Sequence, residues 1–296
     1  MNMQREDYLT TAEVAAYLRL KERTIYDLVA RRAIPCSRVT GKLLFPRRLI
    51  DRWVEDAVEM TGRVPVTPPP IVAGSSDPLL DWALRESGAG LAALYEGSSA
   101  GLARLAAGEA MAVGLHVPDR SGGTFNLEAV RALADITDLV LIRWARREQG
   151  LVVPAGNPKG LATLADVART GARMVMRQAG AGAQMLLDRL LEAEGVDPDT
   201  LTPAEGHALT EADVASAVLS GAADCGLAVG AVARGRGVDF VPLAWENFDI
   251  ACRRRDWFEP PLQALFAFAR TPSFARQADA FGHYDISVAG AVAYNA

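Results

Sequence analysis

Two serine pairs each follow a short apolar run and a glycine. Ile71-Val72-Ala73 leads into Gly74-Ser75-Ser76, and Leu91-Ala92-Ala93-Leu94-Tyr95 leads into Glu96-Gly97-Ser98-Ser99. Helix-forming sequence follows both, opened by Asp77-Pro78 in the first case and by Ala100 in the second. A turn from strand into helix leaves backbone N–H groups unpaired at the positive end of the helix dipole, and a hydroxyl adds one more donor. Such a spot suits an anion. A single serine there is an ordinary N-cap, but two such turns on neighbouring parallel strands face one crevice. A third turn, Arg177-Gln178-Ala179-Gly180-Ala181-Gly182, follows Arg173-Met174-Val175-Met176 and brings a guanidinium, an amide and further backbone donors. The expected site has Ser75, Ser76, Ser98 and Ser99 on one wall. Arg177, Gln178 and the amides of Ala181 and Gly182 form the other, with Arg177 the nearest full positive charge. His116 and Asn126 are expected near the hinge of the crevice, and Glu246 and Phe248 near the second strand that crosses it.

Little else in the chain points to chemistry. The histidines are His116, His207 and His283; the cysteines are Cys36, Cys225 and Cys252, widely spaced and without a CxxC pair. No spacing suits a metal, and no cysteine shares a strand-end turn with a histidine. The reading is therefore no cofactor, no metal and no enzyme. His116 reads as a hydrogen-bonded hinge or core residue, and each cysteine as a small buried residue in a reducing compartment.

The elements that position the serine turns repeat the order strand, turn, helix. Met111–His116 is a third strand after the two named above, which is the βαβ grammar of a parallel sheet. DLVLIRWARREQGLVV, after Thr137, reads as one long strand crossing into a second lobe. In that lobe Arg173–Met176 and Asp224–Val229 are strands, Met185–Glu194 is a helix, and Thr210 caps another. Val238–Leu243 and Asn247–Cys252 read as the return crossing, and helices over about 260–282 go back to the first lobe. Lobe I is expected at about 71–142 and 252–296, and lobe II at about 143–251.

Ahead of this region the composition changes. The chain has 296 residues with a net charge of −5, yet residues 1–66 hold 12 Lys/Arg against 9 Asp/Glu. From Arg19 to Arg52 there are 10 basic and 3 acidic residues. A basic module joined to an acidic one suggests a polyanion partner for the first only. Thr10 or Thr11 can cap a helix with Val14, Ala15 and Leu18 on one face; after a turn at Leu20-Lys21, a second helix over about Glu22–Arg31 turns Ile25, Leu28 and Val29 inward. Ser37-Arg38-Val39 and Leu43-Leu44-Phe45 flank Thr40-Gly41-Lys42, a tight turn, and Pro46 opens a third helix. Val64–Pro70, VPVTPPP, is a stiff hinge within a linker over 63–70, separating a module at 1–62 from one at 71–296.

Residues 8–55 resemble the excisionase-type winged helix-turn-helix of the MerR superfamily. The resemblance implies that the second helix enters the major groove of double-stranded operator DNA while the wing follows the backbone. Lys21, Arg23, Thr24 and Tyr26 would then read DNA from that helix, Arg38 and Lys42 from the wing, and Arg47 and Arg48 from the start of the third helix. The segments GSSDPLL, GSSAGLARLAAGEAMAVGLHV, REQGLVVPAGNPKGLATLADVARTGARMVMRQAGAGAQMLLDRLL and SGAADCGLAVGAVA resemble type II periplasmic binding proteins. Within these they are most similar to the molybdate-binding-like branch fused to bacterial DNA-binding domains. The implied fold is α/β, a winged helix-turn-helix plus a two-lobed domain with two crossover strands. That branch commonly carries Gly-Ser-Gly-Thr-Arg after its Arg-Gln pair, where this chain has Ala179-Gly180-Ala181-Gly182-Ala183-Gln184. The implied ligand is a molybdate- or tungstate-like oxyanion or a small organic anion.

Together these features predict a cytoplasmic one-component regulator that binds DNA and senses a small anion. Alternatives are an enzyme acting on a small anion and an architectural DNA-binding protein. A single module of this size contacts little DNA, so a homodimer or higher assembly is expected, with Trp53, Val54, Val58 and Met60 as its contact. No apolar run is long enough to cross a bilayer, so no membrane partner is expected.

Overall fold

A computed structural model describes residues 8–39, 41–56, 67–120, 123–133, 136 and 138–296. The chain divides into two compact units, Met1–Pro65 and Val66–Ala296.

The first unit runs β1 (Tyr8–Leu9), α1 (Thr11–Leu18), α2 (Glu22–Ala30), β2 (Ser37–Val39), β3 (Lys42–Pro46) and α3 (Arg47–Asp56). Thr10 caps α1 in a capping box: its Oγ1 accepts from Glu13 N at 3.3 Å, and Glu13 Oε2 accepts from Thr10 N at 2.7 Å. β3 is the middle strand of a three-stranded sheet, with β2 folded against it across the wing and β1 on its other edge. The helical spacing of the apolar residues gathers Val14, Ala15, Ile25, Val29, Ile34, Phe45 and Ile50 into one core. Burying each large side chain there contributes roughly 1.5–3 kcal/mol. Trp53 joins that core from its edge, Val54 is exposed, and Val58 and Met60 lie outside the described residues, as do positions 63–66 of the expected linker. Cys36 is exposed, against the buried position expected for it, while Cys225 and Cys252 are buried.

The second unit opens with β4 (Ile71–Gly74), α4 (Pro78–Glu86), β5 (Ala92–Tyr95), α5 (Ser98–Ala107), β6 (Ala112–Leu115) and α6 (Leu127–Arg131). β7 (Leu139–Pro154) crosses to the second lobe, which contains α7 (Leu164–Thr170), β8 (Arg173–Arg177), α8 (Gly182–Glu194), β9 (Thr202–Ala208), α9 (Glu211–Leu219) and β10 (Cys225–Val229). β11 (Val238–Arg253) returns, followed by α10 (Arg254–Trp257), α11 (Pro260–Phe268), α12 (Pro272–Phe281), β12 (Tyr284–Asp285) and β13 (Val292–Asn295). The strand order is β5-β4-β6-β11-β7-β10-β8-β9, with β12 and β13 also on β7. β4, β5 and β6 are mutually parallel in lobe I, and β8, β9 and β10 are parallel in lobe II. β7 and β11 run antiparallel from Leu139↔Arg253 in lobe I to Val238↔Pro154 in lobe II, so both lobes hang on one strand pair. The return crossing is a single strand with register shifts at Pro242/Ala244 and Phe248/Asp249, where the sequence suggested two pieces.

Each lobe fills its own core. Trp144 packs edge-on against Phe266 and Phe274 in lobe I, and Leu151, Met174, Leu187 and Leu227 pack together in lobe II. Gly101 lets α5 lie directly on β4, since a Cβ there would stand 2.4 Å from Gly74 Cα. After α12 the chain forms a strap that the sequence did not reveal. His283, at φ 62°, packs its ring 4.6 Å from that of Phe240, and its Nδ1 lies 2.9 Å from Glu148 Oε2. No described helix is long and apolar enough to cross a membrane.

Candidate functional site

On the winged helix, the face expected to meet DNA is open to solvent. Lys21, Arg23, Thr24, Tyr26, Arg38, Lys42, Arg47 and Arg48 are all exposed. The N-cap of α2 is Lys21 and its first turn is exposed as far as Thr24, because Ile25 and Val29 turn the opposite face into the core. Arg47 stacks on Tyr17, 5.0 Å from the ring centroid, and Tyr17 in turn donates to Asp51 Oδ1 at 2.7 Å. That chain of contacts fixes the start of α3 against α1.

In the larger unit, the serine turns and the Arg177–Gly182 turn meet between the lobes. Gly97, at φ 92°, is the N-cap of α5, so Ser98 and Ser99 are its first helical residues rather than caps. Ser75 and Ser98 are buried with their Oγ atoms 2.8 Å apart. Ser76 is half-buried and offers its carbonyl to Arg147 Nη1 at 3.4 Å. Across the cleft, α8 begins at Gly182, three residues earlier than expected, with Ala181 as N-cap. A Cβ on Gly97 would stand 3.4 Å from Gly180 O, and one on Gly180 would stand 3.7 Å from Ser99 Oγ. A Cβ on Gly182 would come within 2.7 Å of His116 Nε2, so only glycine lets the imidazole lie on the N-terminus of α8. Neither α5 nor α8 has a side-chain cap, whereas α4 is capped by Asp77 and α9 by Thr210. The α5 and α8 N-termini face each other across the cleft, and neither is covered by a side chain of its own N-cap residue.

Behind this contact lies a buried polar cluster on the crossover strands. Arg147, wholly buried, donates from Nε to Glu246 Oε1 at 2.6 Å and from Nη1 to Asp77 Oδ2 at 3.0 Å. Its guanidinium lies 4.5 Å from the centroid of the Phe248 ring. Gln149 Nε2 donates to Glu246 Oε1 at 2.8 Å, His116 Nδ1 lies 3.1 Å from Glu246 Oε2, and Tyr284 donates its hydroxyl to Asp77 Oδ2 at 2.7 Å. Burial pushes the Glu246 carboxyl up, but His116, Arg147 and Gln149 together hold it down at about 2. Burial works against the charge on Arg147, and Glu246 and Asp77 outweigh it, raising the group above the usual arginine range.

Arg177 is also paired. Nε and Nη2 donate to the carbonyls of Ala208 and Leu209 at 3.0 and 2.9 Å, and Nη1 lies 3.1 Å from Glu211 Oε1. Gln178 Nε2 reaches Leu209 O at 3.4 Å. Asn126 is tied wholly into the hinge: Nδ2 donates to Leu115 O, Asn247 O and Asp249 Oδ2, and Oδ1 accepts from Val117 N at 2.6 Å. Sequence reasoning missed Arg147, Gln149, Asp77, Glu211 and Tyr284 as parts of this cluster. A signal existed for the first two: polar residues at alternate positions within a long apolar strand place them on one face.

Comparison with known proteins agrees with this architecture. The chain belongs to the PBP superfamily, whose domain profile matches residues 81–270, and a helix-turn-helix domain profile matches residues 8–57. It is 26% identical to the uncharacterized protein YvgK of Bacillus subtilis (strain 168), over 96% of both chains. Among solved structures, it is similar to a phosphate ABC transporter substrate-binding protein with bound phosphate from Clostridium perfringens. That likeness has a TM-score of 0.55 at 14% identity and covers 72% of this chain and 97% of the other. A mutant OxyR of Corynebacterium glutamicum with bound hydrogen peroxide matches with a TM-score of 0.53 at 13% identity, over 91% of both chains. At these identities the likeness is one of fold. The chain thus joins a helix-turn-helix domain to a PBP-like domain, a makeup that suggests a DNA-binding regulator with a ligand-binding domain.

Proposed function

We propose that this protein is a one-component transcription regulator whose winged helix binds operator DNA and whose two-lobed domain senses a small anion in its cleft. The observation that carries the ligand part is the opposition of the uncapped α5 and α8 N-termini at Gly97 and Gly180. Their free N–H groups, with the Ser98 and Ser99 hydroxyls beside them, suit a negative group held by dipoles. A molybdate- or tungstate-like oxyanion and a small organic anion both match that description. The phosphate-bound relative supports an anion in this type of cleft. The exposed cations of α2 and the wing support the DNA part. In this reading the protein works in the cytoplasm, where operators are, and as a homodimer, since one winged helix buries little DNA surface. The two parts can be tested separately. Full-length protein would be carried through selection on a random duplex library, and native mass spectrometry would seek a small molecule that copurifies. Failure to enrich any sequence sinks the regulator reading. An enriched site whose affinity ignores removal of the bound molecule leaves a DNA-binding protein without a sensor.

A further inference from the structure

Four buried polar atoms around the cleft have no hydrogen-bond partner among the described residues: Arg147 Nη2, Gln149 Oε1, Arg177 Nη1 and Gln178 Oε1. A chain of contacts links their residues. Arg147 and Gln149 alternate on one face of β7 and share Glu246 Oε1. Gln149 pairs with Val229 across the sheet, and Val229 N donates to Glu211 Oε2 at 3.0 Å. Glu211 in turn sits 3.1 Å from Arg177 Nη1, too poorly aligned to count as a hydrogen bond, and Gln178 follows Arg177.

The chemistry of the four is mixed. The guanidinium nitrogens can only donate, and the amide oxygens can only accept. The amide orientations follow from their partners. Glu246 is an ionised carboxylate and Leu209 offers a carbonyl, so both must receive the NH2 end, which leaves each glutamine oxygen facing away. A buried acceptor left unmatched costs free energy, and so does a buried donor. An anion with no hydrogen of its own, such as molybdate, tungstate or sulfate, satisfies the two guanidinium nitrogens and leaves both amide oxygens bare. The charges point the same way. Asp77, Glu246 and Glu211 outnumber Arg147 and Arg177 by three to two, so the cluster has no spare positive charge to neutralise a bare dianion.

We infer that the cleft takes a small anion that also donates hydrogen bonds, one bearing O–H or N–H groups, and that Gln149 and Gln178 select for those hydrogens. This rests on the cleft being the sensing site.

The test is thermal denaturation and calorimetry of the full chain with two sets of probes at pH 7. One set is sodium molybdate, tungstate and sulfate. The other is inorganic phosphate, glycolate, glycerate and glycine, which separates an inorganic from an organic source of the same donor chemistry. Stabilisation by a member of the second set alone is expected. That affinity should fall about tenfold in Gln149→Met and in Gln178→Met, the loss expected for one hydrogen bond. Gln178→Met guards against misfolding, because its side chain is half-buried and makes one long bond. Stabilisation by molybdate, tungstate or sulfate that survives both substitutions overturns the donor requirement while keeping the sensor. No stabilisation by any probe overturns both.

Discussion

Arginine is used in opposite ways in the two units. On the winged helix, Arg23, Arg38 and Arg48 stand in solvent. In the cleft, Arg147 is wholly buried between Asp77 and Glu246, and Arg177 lies against Glu211. Exposed cations attract a polyanion at long range and respond to salt. Buried, paired cations give little net attraction, because their charge is already answered; what they provide is fixed geometry. A charge count over the sequence sees the first use and is blind to the second.

The largest expected effect would come from breaking the buried use. Arg147→Met strands Asp77 and Glu246 in the interior and should cost about 3–5 kcal/mol of stability in urea unfolding. Arg48→Met, by contrast, should leave stability within about 0.5 kcal/mol. Similar costs for the two substitutions would erase the distinction.

A second effect concerns Asp249, buried beneath the hinge. Burial raises its carboxyl from 3.8 to about 6, with Arg143 and Asn126 opposing the shift. A raised carboxyl binds its proton more tightly in the folded state. Its contribution is therefore complete below pH 3.8 and lost as pH rises through 6, a change of about 3 kcal/mol. Unfolding free energy measured from pH 4 to 7 should show this fall, and Asp249→Asn should flatten it. An unchanged slope in the variant would place the titration elsewhere.

On the exposed side, Arg23→Ala should cost about 1–3 kcal/mol in a base-dependent way, while Lys42→Ala should weaken all duplexes alike and reduce the salt slope by about one. Fluorescence anisotropy across salt concentrations separates the two, and identical behaviour would remove the assignment of α2 to the groove. The smallest effect is expected at the serines. Ser98→Ala breaks the 2.8 Å contact with Ser75 and should cost about 1 kcal/mol of stability.

The sequence made some of this legible. Periodicity and a capping threonine exposed α1, and apolar runs ending at Gly-Ser-Ser exposed β4 and β5, because both signals are local. The opposition of Gly97 and Gly180 was foreseen only as two walls of one cleft. Their direct contact depends on how far the lobes close, and nothing local records that. Glu211, next to the capping Thr210, was not read as part of the site, since its meeting with Arg177 is made by β8, β9 and α9 together. The strap of His283 and Tyr284 was invisible because two-residue β12 is held by β7, not by its own propensity.

That strap has a consequence for the newborn chain. Tyr284 reaches Asp77 across 207 residues of sequence. At roughly 5–20 residues per second, a ribosome needs about 10–40 s to cover that distance. The winged helix can finish its own fold well before then, since its core comes entirely from early residues. For that interval a translating chain carries a completed helix-turn-helix unit while the cleft still lacks the anchor that Tyr284 gives Asp77. Any chain cut short before Tyr284 would keep that state for good, with the winged helix complete yet lacking the hydroxyl that Asp77 holds in the finished protein.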